Sequence, residues 1–329
     1  MVTTSDPVPL PPRTHQRSRL VGSRRSALVT APVPVCGHGQ VLIRVRRVGV
    51  CASELPLWRE GPGSGPVFMG HEPVGQVIAV GPDVTDCAVG DTVTGRIEHS
   101  FAQCAVADAV DVVVVPPDVP AHSALGEPFG CVVEGLRRTT VAVGDRVAVI
   151  GAGFIGLCLL QLLRHGGTAR LLAVDPRTDA RRHAVRNGAD RALAPGQAHS
   201  LAARDSAAPG DAHGFDVVFE ASGTQAGLDL ATELVRQHGT LSILGYHQQT
   251  RSVDMRSWNL KAIDVVNAHV RDPLRLREST RRGLDLMASG RVDPAALITH
   301  RYSLADIDQA FTDLAGKPEG FIKAVVEVG

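Results

Sequence analysis

The spacing of apolar and polar residues divides the chain into two parts with different patterns of predicted secondary structure. Between Arg19 and Asp118, short apolar runs of strand length are separated by turns rich in glycine and proline. From Asp145 to about Val270, apolar runs alternate with helical segments, which is typical of a doubly wound parallel sheet. The sequence therefore predicts an α/β protein with a β-rich domain and a parallel-sheet domain.

The predicted strands and helices follow this division. The strands lie at 41–45, 74–80, 110–115, 147–150, 171–174, 216–220, 240–244 and 262–266. After Arg271 the pattern predicts two amphipathic helices, near 274–289 and 304–314, and a final strand at 322–328. Because this strand follows all the parallel units, we expect it to return to the first domain.

The same patterns predict the domain boundaries. Residues 1–17, rich in proline and arginine, are expected to form a flexible tail. The β-rich domain is predicted to comprise 18–128 and 271–329, and the parallel-sheet domain 129–270. No apolar run reaches the roughly 18 residues that a membrane span needs, and the tail lacks the apolar core of a secretory signal. We therefore expect a cytoplasmic protein without a membrane partner.

Composition and charge narrow the range of partners further. The 329 residues are 44% hydrophobic and 21% charged, and the formal net charge is zero, so we expect no nucleic-acid partner. The six cysteines are widely spaced and include no CxxC pair, which argues against a disulfide framework and against a four-cysteine zinc lobe. They are Cys36, Cys51, Cys87, Cys104, Cys131 and Cys158.

A glycine-rich turn follows the predicted strand at 147–150 and opens an apolar helix. It reads Gly151, Ala152, Gly153, Phe154, Ile155 and Gly156. In such a turn the first glycine permits a tight bend, the second lets the backbone approach a pyrophosphate, and the third packs the helix against the strand. The alternative is a turn with a purely structural role.

An acidic residue at the end of the next strand separates these two interpretations. Asp175 lies 19 residues beyond Gly156, where a carboxylate can accept both ribose hydroxyls of an adenosine. A structural turn would leave this acid unexplained, so the sequence predicts a dinucleotide site. The carboxylate would repel a 2′-phosphate, which favours NAD over NADP. Three nearby arginines weaken that preference, namely Arg177, which is also a cofactor-binding candidate, Arg181 and Arg182.

Three short stretches of the first domain concentrate residue types that bind metals. Cys51 and Ser53 follow a predicted strand, His71 and Glu72 precede another, and Glu127 stands at the start of a helix. Zinc takes sulfur, nitrogen and oxygen ligands in a tetrahedral site, and a catalytic site keeps one position open. Each residue alone has a structural explanation, as a core cysteine, a satisfied histidine or a carboxylate at a helix N-terminus. Their joint occurrence ahead of a dinucleotide unit predicts a catalytic zinc site.

On these residues the chain resembles the zinc-dependent medium-chain dehydrogenases, over nearly all of its length after the tail. The resemblance rests on Gly-x-Cys-x-Ser at 49–53, Gly-His-Glu at 70–72, the glycine-rich turn, Asp175, and Glu-Ala-Ser-Gly at 220–223. Within the family the chain is most similar to the sorbitol and threonine (polyol) dehydrogenase branch. That branch carries Glu-Pro, here Glu127-Pro128, where alcohol dehydrogenases carry a third cysteine ligand.

The resemblance implies a GroES-like catalytic domain, a Rossmann domain, and hydride transfer between NAD(H) and a secondary alcohol or ketone. It implies one catalytic zinc ion, bound by Cys51, His71 and either Glu72 or Glu127, which acts as a Lewis acid toward the alcohol. Cys131, one helical turn beyond Glu127, is a competing third ligand.

The resemblance also indicates where the nicotinamide would lie and how the chain would assemble. We expect the nicotinamide end of the cofactor to contact Leu244, Gly245, Tyr246, Ala268, His269 and Val270. Members of the family are dimers or tetramers, so the resemblance implies a homodimer or a homotetramer.

Two departures from the family pattern change these expectations. The lobe in which many relatives have four zinc-binding cysteines is short here and holds Cys104 alone, so we predict no structural zinc. Pro56 stands where many relatives have a histidine that passes the substrate proton to solvent. The expected relay is then Ser53, the cofactor ribose and water, or a histidine such as His269 or His99.

Substrate and reaction class are the least specified parts of this interpretation. Two carboxylates and nearby polar groups suit a polyol, a cyclitol or an amino sugar, with Trp58, Glu54 and Arg96 as candidate lining residues. One alternative is a metal-free medium-chain reductase of quinones or enoyl groups, which would not need the metal-type residues together. The other is a catalytically silent NAD-binding protein, which Pro56 favours.

Overall fold

Two large β-sheets, each next to its own buried core, organise the described part of the chain, which also has a smaller, two-stranded sheet. The computed structural model describes residues 12–205 and 214–329. The chain divides into a first unit and a second unit. The first unit consists of Met1–Gly130, Leu276–Ala288 and Pro294–Gly329, and the second of Cys131–Arg275 and Ser289–Asp293. Among the helices of the described residues, none is long and apolar enough to cross a membrane.

Strands and helices are numbered in chain order within the described residues. The strands are β1 (Thr14–Gly22), β2 (Arg25–Pro32), β3 (Gln40–Gly49), β4 (Glu72–Val80), β5 (Thr92–Gly95), β6 (Cys104–Asp108), β7 (Val112–Val114), β8 (Arg146–Ile150), β9 (Arg170–Val174), β10 (Arg191–Leu193), β11 (Phe215–Glu220), β12 (Val235–Ile243), β13 (Asp264–Asn267), β14 (Ile298–Ser303) and β15 (Lys323–Glu327). The α-helices are α1 (Leu55–Glu60), α2 (Gly126–Arg137), α3 (Phe154–Leu163), α4 (Thr178–Arg186), α5 (Pro195–Asp205), α6 (Gln225–Leu234), α7 (Met255–Lys261), α8 (Pro273–Ala288) and α9 (Ile307–Gly316).

The sheet of the second unit is parallel, with the strand order β10-β9-β8-β11-β12-β13. Strand β8 is apolar from Val147 to Ile150, and all four of these residues are buried, as expected for a strand covered on both faces. The direction of strand succession reverses between β8 and β11. Dinucleotides bind at such a reversal in doubly wound folds, outside the carboxyl ends of the strands.

The main sheet of the first unit has the order β14-β15-β3-β4-β5-β7, with β6 also paired to β3. Its pairings are antiparallel apart from the parallel pair of β14 and β15. The largest core residues include Phe101, Phe311 and Phe321. Strand β15 pairs with β3, where Val325 lies opposite Gly49. The last strand therefore returns to the first domain, as the sequence predicts.

Two expectations about local structure were wrong. Residues 14–17 were expected in a flexible tail, but they belong to β1, which pairs with β2; residues 1–11 lie outside the described part of the chain. The sequence concealed this strand because its buried positions include the polar residues His15 and Ser18. Strand β13 begins at Asp264 rather than at 262, since Ala262 adopts a left-handed conformation at the end of α7.

Candidate metal centre and nucleotide site

The glycine-rich turn joins β8 to α3 in the second unit, and its three glycines have different surroundings. A Cβ on Gly156 would lie 1.9 Å from the carbonyl oxygen of Gly151. Gly151 has a φ of +100° and lies against the backbone of 221–222. A Cβ on Gly153, in contrast, would meet nothing within 4 Å. The first and third glycines are thus required by packing, whereas the second leaves open space at the start of α3, where a phosphate would bind.

Asp175 follows β9 and is hydrogen-bonded to this turn. Its carboxylate is buried, with Oδ2 accepting from the backbone N–H of Ala152 at 2.9 Å and Oδ1 accepting from that of Arg177 at 2.9 Å. The Arg177 Nε is 3.3 Å from Oδ1, and the Arg181 guanidinium donates to the backbone oxygens of Asp175 and Pro176. The acid and the turn therefore form one arrangement, with two arginines beside it.

A cavity of about 660 Å³ lies in the second unit, at the carboxyl ends of β12 and β13. Four of the six predicted nicotinamide contacts line it, namely Gly245, Tyr246, His269 and Val270. Leu244 and Ala268 are buried in the unit and do not line the cavity. Because the carboxyl ends of parallel strands are where ligands bind in this fold, the cavity is suitably placed for the nicotinamide half of a dinucleotide.

The metal-type residues come together in the first unit at the ends of two paired strands. Cys51 lies two residues after β3 ends, His71 precedes β4, and Glu72 is the first residue of β4. Since β3 and β4 are antiparallel and Gly49 lies opposite Glu72, these segments meet at one edge. Among the described residues, the side chains of Cys51, His71 and Glu72 offer ligand atoms that all lie within 4.8 Å of one another.

Glu54 lies next to the imidazole of His71. Its Oε1 accepts from the backbone N–H of Gly70 at 2.6 Å and is 3.5 Å from His71 Nδ1. Burial lowers the pKa of His71, but hydrogen bonds to Cys51 and Glu54 outweigh burial and raise it to about 12. A carboxylate next to a ligand histidine orients the ring and strengthens it as a donor. Glu54, a candidate substrate-lining residue in the sequence, therefore has a supporting position instead.

Lys323, which the sequence did not single out, is the partner of Glu72. Its buried Nζ is 2.5 Å from Glu72 Oε2 and donates to the carbonyl oxygen of Val50 at 3.0 Å. Burial lowers the pKa of Lys323, but the charges of Glu72, Cys51 and Glu127 outweigh it and raise the pKa above its usual value. The sequence feature that could have identified Lys323 is its place within the apolar run 321–326, in a chain that has few lysines.

Glu127 is buried near the start of α2. Burial, and then the charge of Glu72, raise the pKa of Glu127 to about 7, against the opposing effect of His71. Within the part of the chain that the structure describes, neither Glu127 nor the competing ligand Cys131 belongs to the group whose donor atoms lie within 4.8 Å. The pKa of Glu127 nevertheless responds to the charges of Glu72 and His71, two members of that group.

The candidate proton-relay residues lie in different environments. Ser53 donates to Cys51 Sγ at 3.2 Å, so it is next to a metal-type residue. His99 packs edge-on against Phe68. His269 belongs to the second unit, where its Nε2 is 3.1 Å from the carbonyl oxygen of Gly245. Pro56 stands in the first turn of α1 and has no group that can transfer a proton.

The zinc ion and the dinucleotide that the sequence implies both fit the residues present. Cys51, His71 and the buried carboxylates supply the sulfur, nitrogen and oxygen donors that zinc prefers. A divalent cation would also offset the burial and the charge of Glu72, which together raise the pKa of Glu127. The open space at Gly153, at the N-terminus of α3, accommodates a pyrophosphate. A zinc-type donor cluster and a dinucleotide-type turn are together the features of a nicotinamide-dependent dehydrogenase.

Family models match both units. The alcohol dehydrogenase GroES-like domain matches residues 37–115, and the zinc-binding dehydrogenase domain matches residues 155–289, which is more than half of the chain. The chain belongs to the zinc-type medium-chain alcohol dehydrogenases, in the branch similar to threonine and sorbitol dehydrogenases. It is therefore an oxidoreductase, and the predicted fold of a GroES-like domain plus a Rossmann domain is confirmed.

Individual relatives cover nearly the whole chain. L-threonine 3-dehydrogenase of Aeromonas salmonicida is 26% identical over 327 residues, which span 89% of this chain and 94% of that protein. The structure of 2R,3R-butanediol dehydrogenase from Bacillus subtilis has a TM-score of 0.81 at 22% identity, covering 96% of this chain and 100% of that one. A zinc-binding dehydrogenase from Sinorhizobium meliloti, bound to NADP, has a TM-score of 0.82 at 24% identity, with coverages of 95% and 99%. At these identities the two structures show the fold alone.

Proposed function

We propose that the enzyme transfers a hydride between NAD(H) and a small polar secondary alcohol or its ketone, with one catalytic zinc ion. The observation that carries this proposal is the convergence of Cys51, His71 and Glu72 from separate segments of the first unit. A metal-free reductase has no need for a thiol, an imidazole and a carboxylate at one place, and a silent protein has no need for their supporting contacts.

Cys51 and His71 are the proposed permanent zinc donors, with Glu72 and Glu127 as candidates for the third. When bound, zinc supplies Lewis acidity, which lowers the pKa of an alcohol and stabilises negative charge on its oxygen. Glu54 holds the His71 ring, because its carboxylate is 3.5 Å from Nδ1. Ser53, adjacent to Cys51 in space, is the proposed first member of a relay that passes the hydroxyl proton on through the cofactor ribose to water.

The proposed cofactor is NAD. The buried carboxylate of Asp175 stands beside the turn, where it would accept hydrogen bonds from the adenosine ribose and repel a 2′-phosphate. Phe154 and Ile155 begin α3, whose N-terminus would face the pyrophosphate. Arg177 already contacts Asp175, so its side chain must be displaced before it could serve a phosphate. The expected preference is therefore for NAD.

The proposed substrate class is a polyol, a cyclitol, or an amino-bearing alcohol such as an amino sugar. Relatives named for L-threonine and for 2R,3R-butanediol support a small polar secondary alcohol. Two buried carboxylates, Glu72 and Glu127, suit hydroxyl or ammonium groups better than an apolar chain. We also propose a cytoplasmic homodimer or homotetramer, which sedimentation of the purified protein would test.

A panel of alcohols and ketones tests this function. NADH absorbance is followed with sugar alcohols, cyclitols, amino sugars, L-threonine and butanediols, with NAD or NADP, before and after chelation and zinc restoration. We expect turnover of a polar secondary alcohol with NAD that is lost on chelation and restored by zinc. Undiminished turnover by the metal-free protein, or reduction of quinones or enoyl compounds in its place, would refute the proposal.

A further inference from the structure

His247 links the cavity of the second unit to the buried end of a neighbouring strand. Glu220 is the last residue of β11 and has no exposed surface. The Nε2 of His247 is 2.8 Å from Glu220 Oε2, and the His247 side chain is 14% exposed. His247 also lines the cavity, next to Gly245 and Tyr246. A side chain that the sequence did not single out therefore ties residues 244–247, here called the nicotinamide loop, to β11.

Arg251 determines which nitrogen of this imidazole donates. Its Nε donates to His247 Nδ1 at 2.9 Å, and its guanidinium also donates to the carbonyl oxygen of Gly223 at 2.9 Å. Because a guanidinium can only donate, Nδ1 accepts and the ring hydrogen lies on Nε2. Nε2 therefore donates to the Glu220 carboxylate, and the three side chains form one continuous chain of hydrogen bonds.

Glu220 also holds the nicotinamide loop through its backbone. The N–H groups of Leu244 and Gly245 donate to the carbonyl oxygen of Glu220 at 2.8 and 2.7 Å. A Cβ on Gly245 would lie 2.6 Å from Glu220 Oε2, so the loop packs directly against the end of β11. Tyr246 lies between these backbone contacts and His247, so contacts to Glu220 fix the loop on both sides of it.

A further contact joins the loop to the segment that follows β13. The Nε2 of His269 is 3.1 Å from the carbonyl oxygen of Gly245, and the rings of His269 and Tyr246 meet edge to face at 5.8 Å. The two stretches predicted to contact the nicotinamide are thus connected to each other, and His247 connects them to β11. A segment held in this way loses less conformational freedom when a ligand binds, which favours affinity.

We propose, on the basis of the proposed function, that His247 and Arg251 are positioning residues for the nicotinamide end of NAD(H). They hold the nicotinamide loop in its binding conformation before the cofactor arrives. The rest of the cofactor does not depend on them, because the glycine-rich turn and Asp175 receive it in the proposed site.

Two ligands that differ by the nicotinamide ring test this role. Kd values for NADH and for ADP-ribose are measured by titration calorimetry with the zinc-loaded full chain, unaltered and as His247→Leu, His247→Gln and Arg251→Met. His247→Leu should raise the Kd for NADH by about tenfold, because a hydrogen bond to a buried carboxylate is lost. The Kd for ADP-ribose should change by less than about twofold, since the altered contact is remote from that ligand.

The other variants divide the effect. His247→Gln should keep the Kd for NADH within about threefold, because its amide nitrogen can still donate to Glu220. Arg251→Met should raise the Kd for NADH by about threefold without changing that for ADP-ribose, and it becomes the main test if His247→Leu does not fold. His199→Leu is the matched control with both Kd values unchanged, because it breaks a half-exposed pair with Glu233 in the same unit, away from the cavity.

The outcomes separate this inference from the proposed function. Equal weakening of NADH and ADP-ribose binding in the main test overturns the inference, because the side chain would then have a general structural role. An unchanged Kd for NADH overturns it as well. If the unaltered protein binds NADH and oxidises alcohols but the variants give either of these results, the inference alone fails. If the unaltered protein binds neither ligand, the proposed function fails with it.

Discussion

The two candidate sites are built from different materials. The nucleotide site of the second unit is formed mainly by backbone. Packing requires two of its glycines, the third leaves open space, and Asp175 supplies a single carboxylate. The candidate metal centre of the first unit consists of buried side chains whose charges depend on one another, including His71 and Glu127. Geometry should therefore limit which substitutions the nucleotide site tolerates, and charge should limit which substitutions the metal centre tolerates.

The largest expected effect is at the metal centre. Cys51→Ser should remove the bound metal and lower turnover by about 10³-fold or more, because the thiolate donor and the Lewis acidity are lost together. Metal analysis and NADH absorbance measure both. Cys36→Ser, a half-buried cysteine outside the cluster, is the control. A Cys51→Ser protein with full metal content and turnover would contradict the assignment.

Substitutions of two glycines in the nucleotide site should have different effects. One should weaken the binding of NAD, and the other should destabilise the fold. In Gly153→Ala, the new Cβ meets nothing in the protein but occupies the space proposed for the pyrophosphate, so the Kd for NAD should rise about tenfold with little change in Tm. In Gly156→Ala, the Cβ would lie 1.9 Å from a backbone oxygen, which should destabilise the fold by roughly 1–3 kcal/mol. Calorimetry and thermal melts measure these effects. Equal effects of the two variants on stability would argue against an open cradle at Gly153.

A smaller effect is expected on cofactor choice. Asp175→Asn keeps an acceptor for the backbone N–H of Ala152 or Arg177 and removes the charge. The preference for NAD over NADP, as a ratio of kcat/KM values, should fall by about tenfold, since the repulsion of a 2′-phosphate is lost. Steady-state kinetics with both cofactors measure the ratio. An unchanged ratio would mean that another group sets the preference.

The smallest expected effect is on the free energy of unfolding, at ion pairs away from both sites. Burial raises the pKa of Asp216, but Arg236 and the backbone N–H of Arg146 outweigh it and hold that pKa below its usual value. The pair therefore contributes stability above the unfolded pKa of about 4 and loses it as the pH falls through the folded pKa. Asp216→Asn should cost about 1 kcal/mol at pH 7 and progressively less in acid.

Urea melts across pH measure this difference. Glu327→Gln is the counterpart in the first unit, where the carboxylate pairs with Arg47 and Arg301 but is 41% exposed. Glu327→Gln should lower the stability less than Asp216→Asn does, because solvent screens an exposed pair. A loss for Asp216→Asn that grows as the pH falls would contradict the assigned direction of the pKa.

The sequence predicted the features that form contiguous patterns, and it missed supporting contacts that depend on how the strands pack. The turn at 151–156 and Asp175 were readable because strand, glycines and acid follow one another at fixed spacing. The metal-type residues were found by their types and by family resemblance. Glu54 and Lys323 were missed as supports, since their partners are set by the packing of β3, β4 and β15.

The central claim is that one divalent ion, held by Cys51 and His71 of the first unit, is required for hydride transfer to the nucleotide of the second. The most direct measurement is to strip the purified enzyme with a chelator, titrate zinc back, and follow bound metal and alcohol-dependent NADH formation together. We predict that activity rises in proportion to zinc and saturates at one ion per chain, and that Cys51→Ser recovers neither. Full activity of the stripped enzyme would contradict the account.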